Sequence, residues 1–567
     1  MFDTFHLPIY YNNQKKLVDK NIISDLELTN NNNVENENGN CLYDYVFEPT
    51  NKLGKINLDK WKEYFTTDTL FLKESQTLCK KVSIINYNNE SNINKIMESW
   101  KSLKSESNFK ENNFLFDWDK LEPLNNSVLC LFIYSILNIS SPIISLLFPI
   151  FFLFIPFFII KFKKFPITMS IYIELLKKII FSTSLGKIFI FSELSWEKRF
   201  YALGSVIFYM YQVYQNIMMV VKFHQNMILM HDKISHIQTF IKYTLLSMEE
   251  YLHTSQSLKS YNEFNQNLIK HKNNLEILNI ELGKISPYEI KLSKIWQLGH
   301  ILKYYYQCFK NKDIEDSMNY AFGFNGYLDN LIQLQKNKYV NPCVFSKKPK
   351  LRFKNAYYIA LKDKNPVMNS YQFKNNNMII TGPNAAGKTT LLKSTLFNLI
   401  LCQQIGFGAF EKAVIFPYQN IHCYLNIPDT NGRDSLFQAE ARRCKDILIK
   451  LMDSSNENHF CIFDELYSGT NPYEAVASAI SYLTHLSKNN KINFMLTTHY
   501  INLCNSLDTH SNIKNYHMKI NKKDEDFEYT YKLKEGISTI KGGISVLKDL
   551  EYPEEIIELT KHHLSSM

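Results

Sequence analysis

Thr381-Gly382-Pro383-Asn384-Ala385-Ala386-Gly387-Lys388-Thr389-Thr390 contains the pattern G-x-x-x-x-G-K-[ST], a loop whose backbone N–H groups wrap nucleotide phosphates. Met378-Ile379-Ile380 reads as a short buried strand entering the loop, and Leu391 to Ile400 as an apolar-rich helix leaving it. The N-terminus of that helix adds its positive dipole end to the anion site. Gly382 and Gly387 allow the backbone to approach phosphates without an intervening Cβ. In this reading Lys388 reaches the β- and γ-phosphates of ATP, and the Thr389 hydroxyl joins the coordination of Mg²⁺.

The loop needs partners, and the downstream sequence offers them. Phe460-Cys461-Ile462-Phe463-Asp464-Glu465 is an apolar run ending in two carboxylates. Asp464 is placed to hold Mg²⁺, and Glu465 to polarise the attacking water as general base. The alternative is a strand followed by two solvated acids. A third strand, Asn493-Phe494-Met495-Leu496-Thr497-Thr498, ends at His499. A histidine closing a strand is a candidate γ-phosphate contact, although single histidines are more often structural. Three strand ends in this order predict a phosphate-binding ATPase domain.

The spelling of these segments resembles the MutS family. Thr381 to Thr390 is similar to the family's TGPN-x-x-GK-[ST]-[ST] loop, Asp464 to Asn471 to its DE-x-x-x-GT-[SN], and Thr498-His499-Tyr500 to its THY. Ser435-Leu436-Phe437-Gln438-Ala439-Glu440 is similar to its S-x-F-x-x-E element, which implies that Ser435 reaches the nucleotide of a partner subunit. Tyr531-Lys532-Leu533, Gly536, Gly542-Gly543-Ile544 and Tyr552-Pro553-Glu554 resemble the family's closing segment. Upstream, Gly326-Tyr327-Leu328-Asp329 with Tyr339-Val340-Asn341-Pro342 looks like the end of the MutS lever. Leu26-Glu27-Leu28, Leu42, Thr50, Leu53-Gly54 and Trp61 resemble the opening of its core domain.

The resemblance implies a helical core and lever followed by an α/β P-loop NTPase domain of the ABC/MutS type. Together with the uncharged run described below, it divides the chain into 1–122 (start of the core), 123–164 (a membrane or re-entrant hairpin), 165–350 (lever and clamp helices) and 351–567 (ATPase with a C-terminal dimerisation helix from Pro553). It further implies a homodimer with composite ATP sites, DNA as partner, and hydrolysis that resets a clamp. The family's mismatch-recognition and connector domains find no room before the core here. Its Phe-x-Glu wedge has only chance counterparts, Phe109-Lys110-Glu111 and Phe191-Ser192-Glu193. An LSGGQ-type transporter signature is missing.

One segment is foreign to most of that family. Ser127 to Ile160 carries no charge, whereas about 20 apolar residues already cover a ~30 Å hydrocarbon core. A single helix of this length would rise ~51 Å at ~1.5 Å per residue. With Asn138, Ser140, Ser141 and Pro142 as a natural break, the expectation is a helical hairpin or re-entrant pair that anchors the chain through about 125–160. Lys161, Lys163 and Lys164 then place the flank, and with it the ATPase, in the cytoplasm. The alternative is a buried pair of core helices in a cytoplasmic or nuclear protein. Tyr201 to Val221 is also uncharged, but Gln212, Gln215 and Asn216 favour a buried helix of a soluble domain.

The remainder says less. A net charge of +9 is compatible with nucleic acid or an anionic membrane and demands neither. Ten cysteines without a C-x-x-C pair argue against zinc and fit a reducing compartment. Asn30 to Asn40 reads as a disordered loop, and Lys347 to Arg352 as a solvated linker. Residues about 222–337 read as long helices, with Ile234, Ile237, Ile241, Leu245 and Met248 on one apolar face, and Leu268, Leu275, Leu278 and Leu282 on another. Tyr304-Tyr305-Tyr306 reads as core rather than as a base-stacking platform.

Overall fold

The computed structural model describes residues 4–29, 40–82, 90–107, 109–162, 168–182, 195–289, 291–374, 376–425, 435–523, 526–538 and 552–566. The Asn30–Asn40 loop (but for Asn40), Lys163, Lys164, Phe191 to Glu193 and Gly542 to Ile544 lie outside the described residues. Helices of ten or more residues are, in chain order, Lys52–Trp61 (α1), Thr69–Lys81 (α2), Glu90–Lys104 (α3), Val128–Phe162 (α4), Met169–Ser182 (α5), Trp196–Ser255 (α6), Asn262–Leu282 (α7), Leu298–Lys310 (α8), Lys312–Lys336 (α9), Lys388–Ile405 (α10), Leu436–Asp453 (α11), Pro472–Ser487 (α12) and Glu554–Ser566 (α13). They fall into two compact units, neither of which is one stretch of chain. The first comprises Met1–Glu90, Leu246–His271 and Asn319–Met567; the second comprises Ser91–Leu245 and Lys272–Met318.

The first unit is organised by a six-stranded sheet of β1 (Asn377–Thr381), β2 (Asn420–Tyr424), β3 (His459–Asp464), β4 (Ile492–Thr498), β5 (Ile513–Lys523) and β6 (Asp526–Glu535), in the order β2-β3-β4-β1-β5-β6. All neighbours are parallel except β5 and β6. β1 and β4 are buried along their whole length, as strands covered on both faces must be. The register sets Asp464 opposite Thr497, and Thr498 opposite Thr381. The three strand ends picked out in the sequence are therefore lateral neighbours. A second sheet holds Val344–Phe345, Lys412–Ile415, Leu351–Ala356 and Asn369–Phe373. Leu351 and Arg352 thus belong to a strand rather than to a linker, because Leu351 fills the core while Arg352 points outward.

In the same unit the segments that resembled the core opening and the lever end bind each other. Asp329 accepts hydrogen bonds from the backbone N–H and hydroxyl of Thr50, at 3.0 and 2.6 Å. Asn330 donates to the carbonyl of Gly54 at 3.1 Å and accepts from the Trp61 indole at 3.0 Å. α1 and α9 approach closely here: a Cβ on Gly326 would lie 2.5 Å from the Leu53 carbonyl oxygen.

In the second unit the segment from Val128 to Phe162 is one helix, not a hairpin broken near residue 140. Pro142 cannot donate to the carbonyl of Asn138, but the Ser141 hydroxyl does so at 2.8 Å. Pro149 likewise cannot serve the carbonyl of Ser145, which instead accepts from the Tyr209 hydroxyl of α6 at 3.1 Å. At these two prolines side chains replace the hydrogen bonds that are removed, and the helix continues through both. It is also the one described helix long and apolar enough to cross a membrane, over Val128–Phe148, and little of that window is buried.

A second correction concerns Tyr201 to Val221. This part of α6 is not a buried helix: Tyr201 is 84% exposed and Phe208 68%. The glutamines that suggested a soluble helix, Gln212 and Gln215, are exposed too. The helical expectation for 222–337 holds, and the residues named on its two apolar faces are all buried. Tyr304, Tyr305 and Tyr306 are core. Phe109 stacks on Phe309 with ring centroids 3.9 Å apart, which removes that Phe-x-Glu as a free wedge.

Gly326→Ala should lower stability by about 1–3 kcal/mol, because overpacking a helix crossing displaces backbone. Urea unfolding followed by tryptophan fluorescence measures this, and an unchanged midpoint would contradict the close approach.

Candidate functional site

β1 delivers the phosphate loop to the edge of a cavity of about 620 Å³. Three residues of the loop have left-handed backbone: Gly382 (φ 153°), Ala385 (φ 62°) and Gly387 (φ 86°). Such turns point successive N–H groups toward one concavity. α10 begins at Lys388, so its unpaired N-terminal N–H groups and dipole also face this region. Asn384, Ala385, Ala386, Gly387, Lys388, Thr389 and Thr390 line the cavity. Gly382 and Pro383 instead turn their carbonyls to the lysine.

Lys388 is only 5% exposed. Its ammonium donates to the carbonyls of Gly382 and Pro383 at 2.8 and 3.0 Å, and lies 3.7 Å from the Glu465 carboxylate. Burial pushes its pKa down, and the carboxylates of Glu465 and Asp464 oppose that shift.

Asp464 ends β3 and accepts from the hydroxyls of Thr389, at 2.7 Å, and Thr497. Burial raises its pKa, while those hydroxyl bonds pull the other way. A carboxylate and a hydroxyl held together beside a phosphate loop form a hard oxygen donor set that fits Mg²⁺. Glu465 follows with a positive φ of 50°, a costly conformation for a non-glycine residue. It turns the carboxylate back toward Lys388 and toward His499, whose Nδ1 is 3.7 Å away. The His499 ring and then the Lys388 ammonium hold Glu465 below the usual carboxylate range.

Five of the predicted residues, Lys388, Thr389, Asp464, Glu465 and His499, are thus brought together. Ser435 is not among them. It caps the N-terminus of α11, accepting from the Gln438 N–H while Gln438 reaches back to the Ser435 N–H. It does not line the cavity. α11 is nevertheless tied to the loop that follows Glu465. The buried Glu440 carboxylate accepts from the Ser468 N–H and hydroxyl and from the Gly469 N–H, at 3.0, 2.8 and 3.0 Å. Gly469 is needed because any Cβ there would meet Leu436 and the Phe437 N–H.

Sequence reasoning missed the far wall of the cavity, made by Tyr357, Pro366, Val367, Asn369, Met518 and Tyr531. Asn369 joins two of these segments, donating to the Tyr531 carbonyl and accepting from the Leu533 N–H at 3.0 and 2.8 Å. No local motif marks these residues apart from Tyr531, whose segment resembles the family's closing one but carries no site role in the sequence. Only the pairing of a remote loop with β6 could have found them.

The raised pKa of Asp464 has a defined sign. An acid whose pKa is higher folded than unfolded costs stability wherever it is ionised, so the penalty is present at neutral pH and fades as pH falls through the acid range. Asp464→Asn should therefore raise the melting temperature of nucleotide-free protein at pH 7, with a smaller gain in acid. An equal or lower melting temperature at pH 7 would refute this.

A family model described as MutS domain V matches residues 378–567. Over 193 residues the chain is 28% identical to a DNA mismatch repair protein MutS of Desulfatibacillum aliphaticivorans, which covers 34% of this chain and 21% of that protein. It is 27% identical over 213 residues to a protein of the same description from Persephonella marina, covering 37% and 24%. It is 30% identical over 191 residues to an Endonuclease MutS2 of Clostridium botulinum, covering 34% and 24%. The matched stretch thus spans less than a quarter of each curated relative. Residues 378–567 thus match MutS domain V, a P-loop ATPase domain, and these homologues support a place in the MutS family.

Proposed function

We propose that this chain is an ATP-driven clamp of the MutS type, acting as a homodimer on DNA in repair or recombination, without reading mismatches directly and with a membrane anchor. The observation that carries the enzymatic part is the meeting of Lys388, Glu465 and His499 within ion-pair distance, beside the Thr389–Asp464 pair. In this reading Glu465 takes a proton from the attacking water, and its lowered pKa keeps it ionised for that task. Lys388 and the N–H groups of the loop hold the triphosphate, and His499 contacts the γ-phosphate. Thr389 and Asp464 hold Mg²⁺, which when bound neutralises charge on the β- and γ-phosphates. Ser435 reaches the nucleotide of the partner subunit, consistent with its place outside the cavity of its own chain.

Glu465→Gln should keep ATP binding and lose turnover by about a hundredfold or more. Lys388→Ala should lose tight binding itself. Wild-type hydrolysis in the first variant, or unchanged nucleotide affinity in the second, would remove the assigned roles.

A second reading keeps the engine and drops the DNA: a membrane-bound ATPase that does mechanical work. The uncovered apolar length of α4 favours it. Both readings place the ATPase on the cytoplasmic face, where ATP is supplied. Turnover measured with and without duplex or branched DNA separates them. Stimulation that weakens with salt supports the clamp, and indifference to every DNA supports the motor. Extraction of membranes with alkaline carbonate tests the anchor, and release into the soluble fraction would end the membrane part of both readings.

A further inference from the structure

The exposed apolar surface of the second unit is not confined to α4. We infer that α6, before about Val220, is a second membrane-inserted arm, paired antiparallel with α4, and that a phospholipid bilayer covers both. This rests on the membrane reading above and changes its topology: α6 is not apolar enough to cross a membrane alone and is inserted against α4.

Two observations point to the pairing. The Tyr209 hydroxyl meets the Ser145 carbonyl at 3.1 Å, and Ile139 and Val220 line one cleft. As α4 advances from 139 to 145, α6 retreats from 220 to 209, so the helices run in opposite directions. From the Ile139 level to Lys161 is 22 residues, roughly 33 Å of helix, close to the ~30 Å of a hydrocarbon core.

The distribution of residues across the pair is the reverse of a water-soluble one. On α4, Leu131 and Ser135 are buried near the end that packs on α8, every position from Asn138 to Pro142 is half-buried, and Ser145 follows them. Between Tyr201 and Val221 the buried or half-buried positions of α6 are Ala202, Ser205, Val206, Tyr209, Val213, Asn216 and Val220. Where the two helices meet, the contact is the polar one between Tyr209 and Ser145, while large apolar side chains face out, with Ile143 61% and Phe151 60% exposed. In water that arrangement forfeits the hydrophobic gain of folding. In lipid it is the expected one, because the solvent is itself apolar and small or polar residues hold helices together.

Backbone chemistry points the same way. Carbonyls freed by proline cannot turn to water inside a bilayer and must find internal donors, and Ser141 and Tyr209 supply them. The polar ends also match. Gln212 and Gln215 fall near the Ile139 level, while Lys161, Lys198 and Arg199 lie toward the other end, with the Arg199 guanidinium 5.1 Å from the Trp196 ring centroid. Tryptophan and basic residues belong at a membrane boundary.

The pairing returns the chain to the side it left, which one isolated span would not do. It also moves Lys161 to the end of the pair opposite Ile139 and Val220. By the positive-inside tendency the lysine flank then marks the side opposite the ATPase, so it no longer supports a cytoplasmic ATPase.

Full-length protein in cell membranes tests this with one aspartate at mid-depth in each arm, Phe151→Asp in α4 and Leu203→Asp in α6. Both should reduce the carbonate-resistant fraction by about tenfold or more, given the cost of a mid-membrane aspartate. Each variant should still bind ATP in detergent, which reports a folded ATPase unit. Loss with Phe151→Asp but wild-type retention with Leu203→Asp would overturn the second arm and leave α4 as an anchor. Release of the wild-type chain by carbonate would instead sink the membrane reading itself. A readout independent of any variant is protease added to sealed vesicles. The segments before Ile139 and after Val220 should be cut together or protected together, and cleavage of only one would overturn the pairing.

Discussion

A lysine ammonium cannot be enclosed by protein unless something takes the place of water around it. Lys388 is such a group, and much of the first unit can be read as the means of satisfying it. Two carbonyls come from its own loop, and the nearest carboxylate comes from the residue after β3. That carboxylate arrives only if β3 lies beside β4 and β4 beside β1, which is the strand order observed. The same order brings His499 to the other side of Glu465. Strand topology, backbone strain at Glu465 and the conformation of the loop are thus linked through one buried charge.

The strain at Glu465 is held in place by the segment behind it. Tyr467 also has a positive φ, of 59°, and Glu440 grips the next two backbone N–H groups. Because Glu440 belongs to α11, which begins at Ser435, the general-base loop and the serine cap share one rigid connection. A shift of the loop cannot leave the start of that helix where it was.

The ATPase half was legible because its chemistry is local. Each of Gly382 to Thr390, Asp464-Glu465 and Thr498-His499 ends an apolar run, and a parallel sheet gathers such ends at one edge. The far wall of the cavity was not legible, since Asn369 and Tyr531 are joined only by tertiary hydrogen bonds. In the helical half, proline and serine at 140–142 read as a break by the rule for helices in water. Ser141 and Tyr209 overrode that rule by supplying donors. Gln212, Gln215 and Asn216 misled in a similar way: composition suggested burial, and only the exposure of each face showed the helix to be apolar on its outside.

The prolines of α4 recur at 142, 149 and 156, every seventh residue of one uninterrupted helix. Seven residues fall only about 20° short of two full turns. Whatever bend each proline introduces is therefore directed nearly the same way as the last, so the bends accumulate instead of cancelling. Such a helix is predisposed to an arc rather than a zigzag, with its concave side chosen by the spacing of three imino acids.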